Sequence, residues 1–462
     1  MATVLGANTL STGGFQVDNS IRFNGSNSVM QRNAAGTPSS TKIWSISFWA
    51  KRCRLGTTEI VWMHQNAANH TAKFQISFHN TDTCRIETYD GTSEYNLSTD
   101  MRFRDTSAWY SILVNVDSTQ GTEANRYKIF VNGIQAAVTE TGGGYPAQNW
   151  DLDLGSQKIA LGRYQAQSPS GYYDGYVAEV VYADGQTLAP TDIGEFDSAS
   201  GIFKPIDVSE LTLGNAGFYI NFSDSSDLGA ATGNDFALTN LAAVDQSLDT
   251  CTNNFATMNS LDNFYAGHAF AEGNTKISTT TSTTSFNTAT IGLSTGKWYF
   301  EGTVRAVMGE ENIGISPVVS TAADDYAGKA TDGLVYKGNN GAYRKGDSAT
   351  SYGNAYVNNN VIGVLLNLDD NEIKFSLNGT VQNSGTAISI TAAASTPHGV
   401  YFPVVGDGST DTVGVWEVNF GAGSFTALSN AAETDSNGIG RFEYEPPSGF
   451  LAICTKNLAE SG

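Results

Sequence analysis

The sequence predicts an all-β protein of two antiparallel β-sandwich domains joined by a β-containing bridge. Three observations predict it. Helical periodicity is almost absent, and short alternating apolar runs recur between clusters of Gly, Asn, Asp and Ser, the pattern of sandwiches and barrels. Two hairpin sequences, one in each half, are nearly the same. Charged residues make up only 15% of the chain, so Ser, Thr, Asn and 49 Gly must supply the polar surface, as in β-rich proteins with many turns.

Each element follows from local chemistry. Trp44 to Ala50 reads Trp-Ser-Ile-Ser-Phe-Trp-Ala. A strand turns alternate side chains to one face, which puts Trp44, Ile46 and Phe48 into a core. Phe74, Ile76 and Phe78 repeat the pattern. Tyr127 to Gln135 and Ile373 to Val381 each carry Asn-Gly between β-prone residues, and Asn-Gly supplies the positive φ angles of a type I′ turn. Asp184-Gly185 marks a further turn, and Pro190 fits the start of one helical turn that closes the first domain near Glu195. The stretch from Gly201 to Asp262 holds strands such as Gly217 to Phe222, and its aromatics argue against disorder. Ser278 to Thr290 reads as an edge strand, being Thr-rich and free of Pro. Gly296 to Val304, Val361 to Leu368 and Val413 to Phe420 complete the β pattern, and Pro446-Pro447 is an extended element. The domains expected are 1–200, a structured bridge 201–262, a second sandwich 263–425 and a tail 426–462.

Composition limits the partners. The formal net charge of −21 repels phosphate backbones and anionic membrane surfaces, so nucleic acid is not an expected partner. Cys53, Cys84, Cys251 and Cys454 form no C-x-x-C pair and read as buried, reduced thiols. The N-terminal Met-Ala-Thr-Val-Leu-Gly lacks a basic region followed by an apolar core, so no secretory signal and folding in a cytoplasm are expected. No run approaches the ~20 apolar residues of a membrane span, so no membrane insertion is expected.

Several of these segments carry a resemblance. Ser20 to Ser26, Trp44 to Lys51, Ala108 to Val114, the first Asn-Gly hairpin and Gly171 to Val180 resemble, in order, a laminin G-like, concanavalin-type domain over about the first 200 residues. The fold this implies is a jelly-roll sandwich. Gly296 to Glu301, Asn312 to Ser316, Gly363 to Asp370 with the second hairpin, and Val418 to Gly421 are similar to a SPRY domain. One departure is the Gly/Ser/Ala-rich insertion Gly421 to Gly440, expected to project as a loop. The two domains, separated by Asp249-Thr-Cys-Thr-Asn-Asn-Phe255 and followed by Pro-Pro-Ser-Gly-Phe, resemble in their order the appendage proteins of tailed bacteriophages. That resemblance implies a virion fibre, spike or decoration subunit with other virion proteins as partners, and a homo-oligomer, a trimer by analogy.

Candidate sites follow two chemistries. Sugar binding uses exposed aromatics stacked on sugar faces, and aromatics in Gly/Asn loops suit adaptable binding surfaces. The candidates are Tyr145, Trp150, Tyr164, Tyr172 and Tyr173 in the first domain, and Tyr336, Tyr343, Tyr352 and Tyr356 in the second. Packing over the sandwich ends explains the same residues, and is preferred for Tyr172 and Tyr173. No cofactor is required. Calcium is the ion that suits the hard oxygens of Asp224, Asp227, Asn234 and Asp235, which equally suit Asx-turns. Paired carboxylates for glycoside hydrolysis are not evident, because Glu179, Glu301 and Glu417 stand singly on separate strands and Asp369-Asp370 reads as a turn. His64 and His70 lie six apart in a loop-like stretch, a spacing that fits solvation better than a metal. No G-x-S-x-G occurs. The expected function is therefore non-catalytic: a virion subunit binding a host-surface glycan or a neighbouring virion protein. A passive decoration protein and a polysaccharide-degrading enzyme are the alternatives.

Overall fold

Trp44, Ile46 and Phe48 lie on the inner face of the strand Ile43–Arg52, none more than 1% exposed, as the alternation predicts. The structure is a computed structural model that describes residues 3–4, 14–33, 37–66, 73–151, 157–163, 170–231, 235–306, 309–410, 413–430 and 432–461. The chain divides into two units, Ser11–Asn253 and Asn254–Gly462, the second also taking Met1–Leu10. Both are built almost wholly of antiparallel strands, and Thr455–Ser461 is the α-helix among the described residues.

In the first unit, the strands Trp109–Asp117, Ile43–Arg52 and Asp174–Asp184 form the centre of one eight-stranded sheet among the described residues. A second eight-stranded sheet carries, in order, Val138–Gly142, Glu94–Thr99, Cys84–Tyr89, Lys73–Phe78, Glu59–Asn66, Gln157–Leu161, Val29–Asn33 and Ala237–Thr239. Their inner faces share one core, with Trp44, Ile112, Val114 and Tyr182 from the first sheet and Trp62, Phe74, Ile76 and Ile86 from the second. The first sheet is buried on its other face too, under Leu188, Ile193, Phe203 and Val208. That double burial explains why Asp174–Asp184 reads as a nearly continuous apolar run.

The second unit pairs a nine-stranded sheet, centred on Lys297–Ala306 and Val361–Asn367, with a six-stranded sheet centred on Glu311–Ser316. Trp298, Phe300, Ile313, Leu334, Val364, Phe375 and Trp416 fill the space between them. Both expected hairpins form. Asn132 and Gly133 have φ of 48° and 78°, and Asn378 and Gly379 have 48° and 76°, the left-handed pair that a type I′ turn requires.

Some boundaries differ from the expectation. Pro190–Asp192 is a single 3-10 turn, with the Ala189 N–H donating to Asp192 Oδ2 at 2.7 Å. The first unit does not close there, and residues 201–253 belong to it: Phe203 and Val208 cover the outer face of its first sheet, while Phe218, Ile220, Phe222 and Phe236 enter its central core. Residues 254–262 belong to the second unit. Within Ser278 to Thr290, the edge strand is confined to Phe286–Thr288. The insertion Gly421 to Gly440 does not project. It folds back, with Asp435 buried and accepting from the Ala452 N–H at 2.8 Å and Asn457 Nδ2 at 2.7 Å. All four cysteines are buried and none is in a disulfide.

Candidate ligand-binding groove

Of the described aromatics considered for sugar stacking, half are core and the rest are half-buried. Tyr336, Tyr352 and Tyr356 are 0%, 7% and 1% exposed. The Tyr356 hydroxyl donates to the carbonyls of Glu311 (2.8 Å) and Tyr336 (3.1 Å), Tyr336 donates to the Asn354 carbonyl, and the Tyr352 hydroxyl accepts from the Phe375 N–H at 3.3 Å. A phenol ring buries a large apolar surface once its hydroxyl finds an acceptor, and Gly-rich neighbours let backbone carbonyls come close enough to serve. Tyr343 is half-buried beside Tyr352, with ring centroids 6.0 Å apart. Tyr145 and Trp150 are half-buried against the first core. Tyr173 is buried and donates to the Lys51 carbonyl, Tyr172 is half-buried beside Arg163, and Tyr164 lies outside the described residues.

The calcium candidates do not form a gathered ligand set among the described residues. Asp224 Oδ1 is taken by the Ser226 N–H (2.8 Å) and hydroxyl (2.6 Å), and the Asp227 N–H donates to the Asp224 carbonyl. These are Asx-turn bonds. Asp235 accepts from the Ala231 N–H and lines a cavity of about 320 Å³ with the cations Arg32 and Lys158, which oppose a metal ion there. Asn234 and His70 lie outside the described residues, and His64 is buried.

The isolated acids serve as anchors. Glu301 is buried and accepts from Tyr299 Oη and from the N–H groups of Glu443 and Tyr444, each at 2.9 Å. Burial raises its pKa to about 7, against the pull of those donors. Glu417 holds Arg305 Nε at 2.6 Å and the Thr426 N–H at 2.9 Å. Glu179 sits at φ 50° in a bulge and accepts from Tyr219 Oη at 2.6 Å. Asp369 accepts from the Gly296 N–H at 2.8 Å, within the expected turn.

A pair of acids escaped the strand-by-strand reading. Glu311 and Asp407 stand directly opposite each other on neighbouring strands, both fully buried. Burial, with Asp407 adding to it, raises Glu311 to about 7. Cross-strand pairing is invisible until strand order is known.

A groove lined by polar and charged residues, with mostly their carbon atoms at its surface, lies on the outer face of the first unit's second sheet. Its cavity of about 350 Å³ is lined by His79, Thr81, Thr83, Arg85, Ser98, Thr99, Asp100, Arg102, Thr139 and Thr141. Strand alternation builds it. Cys84 and Ile86 point into the core, so Arg85 points out, and the register sets Ser98 beside Arg85 and Thr139 beside Ser98. Arg85 Nη1 donates to His79 Nε2 at 2.9 Å, and Arg102 Nη1 donates to the Thr81 carbonyl at 2.7 Å. Burial, then the charges of Arg85 and Arg52, hold His79 below the ordinary histidine range, which keeps that ring nitrogen an acceptor. Neither Arg85 nor Arg102 is in an ion pair among the described residues, and Arg85 Nε is buried without a partner. Asp100 is the groove's carboxylate and accepts from Thr139 Oγ1 at 2.6 Å. The arrangement offers hydroxyls and cationic hydrogen-bond donors to an oxygen-rich ligand. The sequence search for aromatics passed over it, and the cue available was Arg and Thr at alternate positions on adjoining short strands.

The second unit exposes aromatics at an unexpected place. Phe264 is 88% and Tyr265 is 41% exposed, with rings perpendicular and 4.9 Å apart. Their loop is pinned on both sides. Asp262 Oδ2 accepts from the Thr288 N–H (3.0 Å) and hydroxyl (2.7 Å), and Asn263 exchanges hydrogen bonds with the backbone of His268. Exposed aromatic side chains on a fixed loop suit a protein contact.

Comparison with known proteins fits this architecture. Residues 23–193 match the laminin G family described as the Concanavalin A-like lectin/glucanases superfamily, and residues 297–420 match the SPRY domain. No curated protein sequence matches the chain. Among solved structures, the heptameric SAP-like pentraxin from Limulus polyphemus aligns at 12% identity over 49% of this chain and 96% of its own, with a TM-score of 0.31. The LG1-3 region of the laminin alpha2 chain aligns at 9% identity over 87% of this chain and 62% of its own, with a TM-score of 0.34. Stonustoxin aligns at 15% identity over 36% of this chain and 27% of its own, with a TM-score of 0.28.

Proposed function

We propose that the chain, with a laminin G-like domain followed by a SPRY domain, is a non-catalytic appendage subunit of a tailed phage particle that recognises a host-surface glycan. In this reading it folds in the host cytoplasm and acts on the virion. The observation that carries glycan recognition is the pair Arg85 and Arg102, with no carboxylate partner among the described residues, in one groove of a chain with net charge −21. Guanidinium groups recognise carboxylate and sulfate oxygens through paired N–H donors. The groove's ligand is accordingly a glycan bearing carboxylate or sulfate. Several copies on one particle would add avidity. A glycan array with neutral, carboxylated and sulfated polysaccharides tests the recognition, and binding of none of them would refute it. Labelling of purified particles with an antibody to the chain tests the location.

A second reading, a decoration subunit attached to a neighbouring virion protein, is favoured by Phe264 and Tyr265. Phe264→Ser releasing the chain from particles while leaving glycan binding intact would support that attachment. Release of reducing sugar from a bound polysaccharide would replace both readings with a degrading enzyme.

A further inference from the structure

One ring of the groove has its protonation state fixed by its neighbours. Arg85 Nη1 lies 2.9 Å from His79 Nε2, and His79 Nδ1 lies 3.0 Å from Thr81 Oγ1. A guanidinium carries five donors and no acceptor. The nitrogen it faces must therefore hold a lone pair, so the ring is neutral with its proton on Nδ1, donated to Thr81 Oγ1. The Thr81 N–H, 3.4 Å from Nδ1, is beyond the ordinary hydrogen-bond range and does not compete for that nitrogen. Thr81 Oγ1 continues to Thr83 Oγ1 at 3.1 Å, and the His79 N–H donates to the Thr83 carbonyl at 2.8 Å. The ring is thus held by the turn that joins Lys73–Phe78 to Cys84–Tyr89.

The charges that act on His79 are those of Arg85 and Arg52, and both oppose its protonation. The carboxylates of the adjoining strands and turns are engaged elsewhere. Asp82, in the same turn, accepts from Arg52 Nη1 at 3.0 Å and Arg104 Nε at 2.9 Å. Glu59, opposite Phe78, holds Arg54 Nη2 at 2.8 Å. Glu87 pairs with Lys73, and Asp100 takes the Thr139 hydroxyl. Arg102 is turned to the Thr81 carbonyl. Arg85, half-buried, has a neutral imidazole against Nη1 and no partner for its buried Nε. A guanidinium in that position is matched by an oxyanion. An anion set between Arg85 and His79 would also bring negative charge to the ring and favour its protonation.

We infer that His79 and Arg85 form a proton-linked subsite for one carboxylate or sulfate group, in which His79 takes up a proton at Nε2 as the anion enters. Nε2 changes from acceptor of Arg85 to donor to the anion, and Arg85 Nη1 is released to the same oxygens. The proton comes from solvent, and no covalent bond of the ligand changes. The subsite deepens the glycan reading and rests on it for the natural ligand. Proton and anion each favour the binding of the other. With one proton taken up per anion, affinity rises by up to about tenfold for each unit fall in pH.

NMR of the full chain with labelled histidine tests the subsite without a glycan. The chain has five histidines, and His79→Gln identifies the signal of His79. A neutral ring protonated on Nδ1 is expected, with a midpoint below that of an ordinary histidine. Sodium sulfate or sodium acetate, against sodium chloride at the same ionic strength, should move that midpoint upward, and a rise with either one supports the subsite and names the group it takes. A neutral ring protonated on Nε2, or a midpoint moved by neither anion, would overturn the inference. Calorimetry with a carboxylated and a sulfated polysaccharide separates the subsite from the glycan reading. Binding that strengthens from about pH 8 to about pH 5, with the slope lost in His79→Gln, is expected. Equal affinity across that range would overturn the inference and leave glycan recognition standing. A midpoint raised by sulfate with neither polysaccharide bound would keep the subsite and refute the glycan reading.

Discussion

Lys51 and Asp249 form an ion pair with neither side chain exposed, Nζ to Oδ2 at 2.6 Å, and Trp109 Nε1 donates to the other carboxylate oxygen at 2.9 Å. The pair ties Asp249, near the end of the first unit, to the central strand Ile43–Arg52 of the first sheet. Breaking a buried pair strands a charge, at a cost of roughly 3–5 kcal/mol. Asp249→Ala should lower the stability of the first unit by about that much in urea unfolding. Lys51→Met with Asp249→Ala should recover most of the loss, since replacing both charges by apolar groups is often near neutral.

Glu311 should make the second unit less stable as pH rises. Its folded pKa of about 7 lies above the ordinary 4.5. A raised carboxyl pKa means that the folded state holds the proton more tightly. Its stabilising contribution is therefore complete below about pH 4.5 and lost as pH passes through 7. Glu311→Gln should flatten the fall in stability between about pH 5 and 8, and be more stable than the parent at the upper end. Denaturant titrations at several pH values measure both.

Groove binding should depend on charge. Arg102 is exposed and its loss leaves the core intact, so Arg102→Gln should bind a carboxylated or sulfated polysaccharide about tenfold more weakly, the equivalent of roughly 1.4 kcal/mol. Added salt should weaken the parent more than the variant, because screening acts on exposed charges. Calorimetry at two ionic strengths checks this, and equal affinities for parent and variant would remove Arg102 from the site.

The second hairpin and the short 3-10 turn that follows it separate backbone strain from steric clash. A Cβ at Gly379, where φ is 76°, would meet Tyr444 Cδ1 at 2.6 Å, whereas at Gly385, where φ is 78°, nothing lies within 4 Å. Gly385→Ala should cost about 1–2 kcal/mol from the left-handed backbone alone. Gly379→Ala should cost more, and the difference in melting temperature between the two variants reports the clash.

What the sequence determined by itself was local in origin. Alternation with period two placed Trp44, Ile46 and Phe48 inside, and Asn-Gly dictated both type I′ turns, because each depends on neighbours one or two residues apart. The tertiary structure decided what depends on strand order and burial. It moved Tyr336, Tyr352 and Tyr356 from expected binding loops into the core, where backbone carbonyls satisfy their hydroxyls. It set Arg85, Ser98 and Thr139 side by side in a groove, and Glu311 opposite Asp407, through a register that no single strand encodes. It also brought Asp249 to Lys51 across 198 positions of chain. Such pairings come from the folded sheets, since burial and cross-strand neighbours exist only once distant strands have been brought together.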